Sequence, residues 1–164
     1  YGAALGDTHY LATSTTAKDT GFDRDSGVLA TEETDLTGET YDVVTEKGEF
    51  LGGAIAPGVQ TSNASLSRET ARLPQVELQA PRSPIGRNTV DAIQSGLIFG
   101  TAAETDGMIE RIRKELGGSA TVVATGGLAP QIVPHCQFVD EVDPWLTLEG
   151  LRLVFERNVG PADE

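Results

Sequence analysis

The pattern of apolar and polar residues changes near residue 40. Beyond that point, short apolar runs typical of strands alternate with periodic stretches typical of helices, which predicts an α/β layer fold over residues 40–158. The first element in this region reads as a hairpin. Tyr41–Thr45 and Glu49–Leu51 are its strands, and Gly48 supplies the backbone freedom that the tight turn needs.

Three glycines border the next apolar strand at Ala54–Pro57, namely Gly52, Gly53 and Gly58. This spacing fits a strand that runs into a turn where another group approaches the backbone closely. Turn formation alone explains the glycines equally well, so both interpretations stay open.

The longest helical pattern begins at Asn88–Thr89, where either residue can cap the first turn. Ala92, Gly96 and Gly100 recur every four residues and form a flat ridge on one face of the helix. Packing within the chain is the favoured use of this ridge, and close approach of another helix is the alternative. An apolar stripe runs beside the ridge and consists of Val90, Ile93 and Leu97.

Two further helices are predicted on either side of this one. Ser65–Leu73 can form a short helix that Pro74 ends. A later helix stops at Gly117–Gly118. Its apolar face consists of Met108, Ile109, Ile112 and Leu116.

The last third of the chain adds two strands and a helix. Thr121–Thr125 reads as a buried strand followed by Gly126 and Gly127, and ligands of open α/β sheets gather at such carboxyl ends. Gln137–Val139 reads as another short strand, and Thr147 can cap a final helix. The side chains expected to face the core from that helix are Leu148, Leu151, Val154 and Phe155.

The first segment differs from the rest in composition. Residues 10–36 are rich in Thr, Ser, Asp and Glu and read as loop, so the chain divides into residues 1–39 and 40–164. Over the whole chain, 25 acidic and 12 basic residues give a net charge of −13. Such a surface repels phosphate backbones and anionic lipid, so we expect neither nucleic acid nor a membrane as a partner.

The cysteine content and the hydropathy of the sequence indicate the cellular compartment. Cys136 is the single cysteine and predicts no internal disulfide. No apolar run approaches the roughly 20 residues of a membrane span, and no leader-like segment opens the sequence. We therefore expect a cytoplasmic protein.

Four segments together resemble the C-terminal half of type III pantothenate kinases: YDVVTEKGEFLGGAIAPGVQTS, NTVDAIQSGLIFG, VVATGGLAP and DPWLTLEGLRLVFERN. The resemblance implies a ribonuclease H-like fold of the acetate-kinase and actin (ASKHA) type. It further implies ATP-dependent phosphorylation of pantothenate to 4′-phosphopantothenate, the first step of coenzyme A biosynthesis. ATP, magnesium and a monovalent cation (potassium or ammonium) are the implied cofactors, and a homodimer is the implied assembly.

The same resemblance assigns roles within this half of the chain. The 88–100 helix region lies at the implied dimer contact, and Thr70 is similar to the residue that reaches pantothenate across it. Gly126 and Gly127 are similar to the glycines on the adenine side of the nucleotide.

Three traces of the catalytic half appear in the first 40 residues. Leu5–His9 is similar to the first phosphate loop, which assigns nucleotide contacts to Gly6, Asp7 and Thr8, although Ala4 stands where the family has a magnesium-side aspartate.

Gly21–Arg24 resembles a family motif in which the aspartate, here Asp23, is the general base for the pantothenate hydroxyl. In that motif the arginine, here Arg24, holds the pantothenate carboxylate. Asp35–Thr40 resembles the second phosphate loop. It assigns Asp35 to the monovalent cation, and Thr37, Gly38 and Thr40 to the nucleotide.

Three hypotheses follow from these residues. The first is an active kinase with Asp23 as base and Thr70 supplied by the partner subunit. A non-catalytic nucleotide-binding or regulatory dimer is the second, favoured by Ala4 and by Glu39, a carboxylate placed where phosphate should lie. The third is a truncated remnant in which only the C-terminal half folds.

Overall fold

The computed structural model describes residues 9–14, 20–22, 29–31, 38–45, 49–69, 73–118 and 120–158. Its strands are β1 (His9–Ser14), β2 (Thr20–Phe22), β3 (Leu29–Thr31), β4 (Gly38–Thr45), β5 (Phe50–Pro57), β6 (Ala120–Thr125) and β7 (Glu141–Val142). Its helices are α1 (Val59–Glu69), α2 (Thr89–Glu115), α3 (Ala129–Ile132) and α4 (Leu146–Asn158), with a 3-10 turn at Val133–His135. This order confirms the predicted α/β class.

Five of the strands form one mixed sheet in the order β5-β4-β1-β6-β7. The β5-β4 and β4-β1 pairs are antiparallel, whereas the β1-β6 and β6-β7 pairs are parallel. The prediction of loop for residues 10–36 is wrong at three strands, because β1 lies at the sheet centre and β2 pairs with β3. The composition of β1 gives little indication of a strand. Its backbone hydrogen bonds to the neighbouring strands on both sides stabilise it as one. The division of the chain at residue 39 stays a prediction.

The predicted hairpin is confirmed as β4 and β5, although the separate strand predicted at Ala54–Pro57 is the end of β5 and Gly48 lies outside the described residues. The Thr45 N–H donates to the Glu49 carbonyl oxygen at 2.9 Å across the turn. Gly52 has φ 124° next to a bulge in the β4-β5 pairing, a conformation that disfavours any side chain. A Cβ at Gly53 would collide with the Tyr41 carbonyl oxygen. At Gly53 the expected close approach is therefore made by strand β4 itself.

Helix α2 is one continuous element of 27 residues, not the two helices that the pattern predicted. The side chain of Asn88 accepts the N–H of Asp91 at 2.9 Å, which confirms the expected cap. Gly117, with φ 74°, follows the last turn as predicted.

Three apolar clusters hold the layers together, and α2 contributes to each. One cluster joins Tyr41 and Val43 of β4 to Ile109 of α2 and Val122 of β6. The second consists of Val59, Val76, Ile93 and Leu97, and the third of Ile98, Ala102 and Ile132. The second half of α2 thus covers one face of the sheet, and its first half packs against α1 and the segment after it.

Two other element boundaries differ from the predictions. Helix α1 ends at Glu69, and the segment from Leu73 is not helical; there the Asn63 amide holds the backbone of Val76 through bonds of 2.7 and 3.2 Å. Gln137–Val139 is not a strand either. The buried carboxylate of Asp106 accepts the N–H groups of residues 137 and 138 at 2.8–3.1 Å, and the strand forms later, at β7.

The prediction for the last helix is wrong in its packing. Helix α4 forms, but Thr147 lies inside it and not at its cap. Leu148 is 56% exposed and Phe155 is 65% exposed, so most of the predicted core face lies in solvent, and only Val154 of that set is half-buried. Within the described ranges, no helix is both long enough and apolar enough to cross a membrane.

Candidate functional site

One edge of the sheet gathers the predicted site residues that the structure describes. The register pairs Ser14, the last residue of β1, with Thr40 of β4 and with Thr125 of β6. Gly38 begins β4 at this edge, and residues 126–127 follow β6 directly. Because paired residues share a face, the Thr40 and Thr125 side chains belong to the same face of the sheet. This is the carboxyl edge of the parallel strands, where ligands of α/β sheets are expected.

Two glycines follow β6 at this edge, and the second of them leaves room against the backbone. Gly126 has φ 102°, which favours glycine, and its carbonyl oxygen accepts the N–H of Ala129 in a turn. Gly127 is exposed, and a Cβ added there would meet no atom within 4 Å. The backbone after β6 can therefore lie directly against a planar ring or a phosphate.

Thr40 has an acidic neighbour that the sequence analysis did not single out. Asp42 lies two residues along β4 and so on the same face as Thr40. Burial raises the pKa of the Asp42 carboxyl, and a hydrogen bond with the Thr40 side chain opposes that shift. The alternation of β4 was the signal that could have linked these two residues.

Glu39 points away from this face. It is 4% exposed, and its Oε2 accepts the Tyr41 hydroxyl at 3.4 Å. The same hydroxyl lies 3.4 Å from Oγ1 of Thr105 on α2, so the Glu39 carboxyl lies in the core beneath α2. The interpretation of Glu39 as a carboxylate placed where phosphate should lie is therefore wrong, because residues 39 and 40 of a strand face opposite sides of the sheet.

A second concave region lies between α1 and the start of α2. It is a groove of about 940 Å³ whose walls include Ser62, Ser65 and Leu66 of α1 and Ala92, Ile93 and Gly96 of α2. The small-residue ridge borders this groove: Ala92, Gly96 and Gly100 are exposed, and a Cβ at either glycine would meet no atom within 4 Å. The favoured expectation that the ridge packs within the chain is therefore wrong at Gly96 and Gly100, whose face is open, and holds at Ala92, where the backbone of Gly86 lies close.

Most of the predicted site residues lie outside the described residues. They are Gly6, Asp7, Thr8, Asp23, Arg24, Asp35, Thr37 and Thr70. Within the described ranges, no three His, Cys, Asp or Glu side chains are grouped so as to hold a metal ion. The predicted magnesium and monovalent-cation sites thus stay predictions.

Comparison with known proteins agrees with the resemblance. Residues 37–111 match the family model described as type III pantothenate kinase. The type III pantothenate kinase of Acidothermus cellulolyticus is 51% identical over 123 residues, 75% of this chain and 48% of that protein. The one from Rhodococcus jostii is 54% identical over 126 residues, 74% of this chain and 46% of that protein.

The chain spans about half the length of the curated relatives that it matches. A solved structure from Campylobacter jejuni, described as a Baf family transcriptional activator, aligns with 93% of this chain and 58% of its own. Its TM-score is 0.48 at 17% identity, so this likeness adds nothing about fold or function. The family model and the identity of about 50% to curated relatives, over about three quarters of this chain, confirm the resemblance to type III pantothenate kinases.

Proposed function

We propose that this protein takes part in the ATP-dependent phosphorylation of pantothenate to 4′-phosphopantothenate, the first step of coenzyme A biosynthesis. The match of residues 37–111 to the type III pantothenate kinase family is the observation that carries the proposal. The mixed sheet, with a long helix across one face, supports the ribonuclease H-like ASKHA fold implied by the resemblance.

ATP fits the carboxyl edge of β1 and β6. Gly127, next to Gly126, leaves an open backbone for the adenine side, and Gly38 and Thr40 lie at the same edge for the phosphates. Backbone N–H groups and hydroxyls are the donors that phosphate oxygens require. These donors bind phosphate without a basic protein surface, which agrees with the net charge of −13.

The chemistry assigned to the N-terminal residues follows from the resemblance. Asp23 accepts the proton of the pantothenate hydroxyl as its oxygen bonds to the γ-phosphorus of ATP and the bond to the ADP oxygen breaks. Arg24 holds the pantothenate carboxylate. Magnesium and a monovalent cation, with Asp35 toward the latter, would neutralise the phosphate charge.

The experiment combines purified protein with ATP, magnesium, potassium and pantothenate and measures 4′-phosphopantothenate by mass spectrometry. We expect product from the parent protein and none from Asp23→Asn, with ATP binding kept in the variant. Equal product from both proteins would contradict the role of Asp23. Absence of product from a folded protein that binds ATP would favour the second candidate.

That second candidate is a nucleotide-binding or regulatory protein without turnover. It is favoured by one observation: the family match begins at residue 37, after Asp23, Arg24 and Asp35. ATP binding by the Asp23→Asn variant and the parent alike, with no product from either, would support it.

We also propose a homodimer that forms through the 88–100 helix region. The open face at Gly96 and Gly100 and the exposed side chain of Val90 support this contact. Gly96→Leu should shift the protein toward monomer in sedimentation, because the new side chain fills the contact. Gly150→Leu is the matched control, since Gly150 is also helical and open and lies outside the groove. An unchanged mass for Gly96→Leu would count against the dimer.

A further inference from the structure

The carboxyl of Glu39 is buried without full hydrogen bonding. Its Oε2 accepts one long bond from Tyr41, and its Oε1 has no hydrogen-bond partner among the described residues. Glu39 is only 4% exposed, so an ionised carboxylate there would lose its water without replacement. A buried charge of that kind is costly unless it is paired, and protonation removes the cost.

The groups around Glu39 do not offset a negative charge. Tyr41 lies on its own strand, and Glu104 faces it from α2. Cys136, after the 3-10 turn, interacts with both Glu39 and Asp106 of α2. Each of these groups is neutral or acidic. Burial, and secondly the negative charge of Glu104, raise the pKa of Glu39 from 4.5 to about 7.

Glu39 also occupies a sensitive position. It lies between Gly38 and Thr40, which begin β4 at the candidate nucleotide edge. Through the Tyr41 hydroxyl, the carboxyl is linked to Thr105 in the middle of α2. The Glu39 side chain therefore connects α2 to the backbone at the candidate nucleotide edge.

We propose that Glu39 is a positioning residue for the candidate nucleotide edge: as a neutral acid it lets the start of β4 lie closely against α2, and its ionisation loosens that start. The consequence for ATP rests on the proposed function. Because the folded pKa is raised, the stabilising effect is complete below about pH 4.5 and is lost as pH rises through about 7.

Hydrogen exchange of the β4 amides tests the inference without any ligand. Parent protein and Glu39→Gln are compared from pH 5.5 to 8.5, after correction for intrinsic exchange rates. If opening exposes the carboxyl, a change in pKa from 4.5 to about 7 increases the opening constant of the parent about 30-fold over this range. The Gln variant, which is neutral and similar in shape, should show no such increase. An equal increase in both proteins would overturn the inference.

A second variant keeps the test decisive if Glu39→Gln does not fold. Glu104 is exposed, and Glu104→Gln removes a negative charge that raises the pKa of Glu39. The change in β4 exchange should then shift to lower pH. An unshifted profile would count against the inference.

ATP binding measured by calorimetry over the same pH range separates this inference from the proposed function. We expect the affinity of the parent relative to Glu39→Gln to fall as pH rises, and a constant ratio would contradict positioning of the edge. If neither protein binds ATP, the proposed function fails, and the exchange profiles alone decide the role of Glu39.

Discussion

Helices α2 and α4 both carry apolar side chains at helical spacing, yet they are used differently. Ile98 and Ile109 of α2 are 0% exposed, whereas Leu151 and Phe155 of α4 are 39% and 65% exposed. Helix α2 packs against the sheet with its second half and against α1 and α3 with its first half. Helix α4 has no comparable apolar surface to pack against among the described residues. An amphipathic pattern therefore predicts a helix, but burial also requires a surface of matching shape.

The largest expected effect of a substitution lies where α2 meets the sheet. Ile109→Ala should lower the free energy of unfolding by about 2–5 kcal/mol, because it leaves a cavity among Tyr41, Val43 and Val122. Urea denaturation measures this loss. Ile109→Val serves as a graded control and should cost about 0.5–1.5 kcal/mol. A loss below that of the Val variant would mean that this part of α2 is not packed as described.

A smaller effect is expected at the first turn of α2. Asn88→Ala removes the side-chain acceptor for the Asp91 N–H and should cost about 1 kcal/mol. Asn88→Ser keeps an acceptor and should remain close to the parent. Thermal unfolding followed by circular dichroism distinguishes the two variants, and equal losses would argue against capping.

The smallest effect is expected on α4. Phe155→Ser should change the free energy of unfolding by no more than about 0.5 kcal/mol, because the ring is already 65% exposed. The urea titration used for Ile109→Ala also measures this change in the free energy of unfolding. A loss above about 2 kcal/mol would show that a surface absent from the described residues covers α4.

Local chemistry predicted the parts of the fold that depend on neighbouring residues. The Asn88 cap, the stop at Gly117 and the β4-β5 hairpin each follow from a few adjacent side chains. The position of β7 was not predictable in this way, because the Asp106 carboxylate takes up the N–H groups of residues 137 and 138 from 31 and 32 positions away.

The candidate site was predictable to a similar extent. A strand followed by Gly126 and Gly127 indicated the candidate edge, and the register placed Thr40 beside it. The direction of Glu39 was not predictable, because it depends on which face of β4 packs against α2. Only the buried Tyr41 and Val43, two and four residues further along, identify that face.

The continuity of α2 has a consequence for how the protein melts. At about 1.5 Å per residue, its 27 residues form a rod of about 40 Å that supplies side chains to all three apolar clusters. No cluster can come apart without disturbing a backbone that the other two share. We expect a single heat-absorption peak whose calorimetric and van 't Hoff enthalpies agree, as for one cooperative unit.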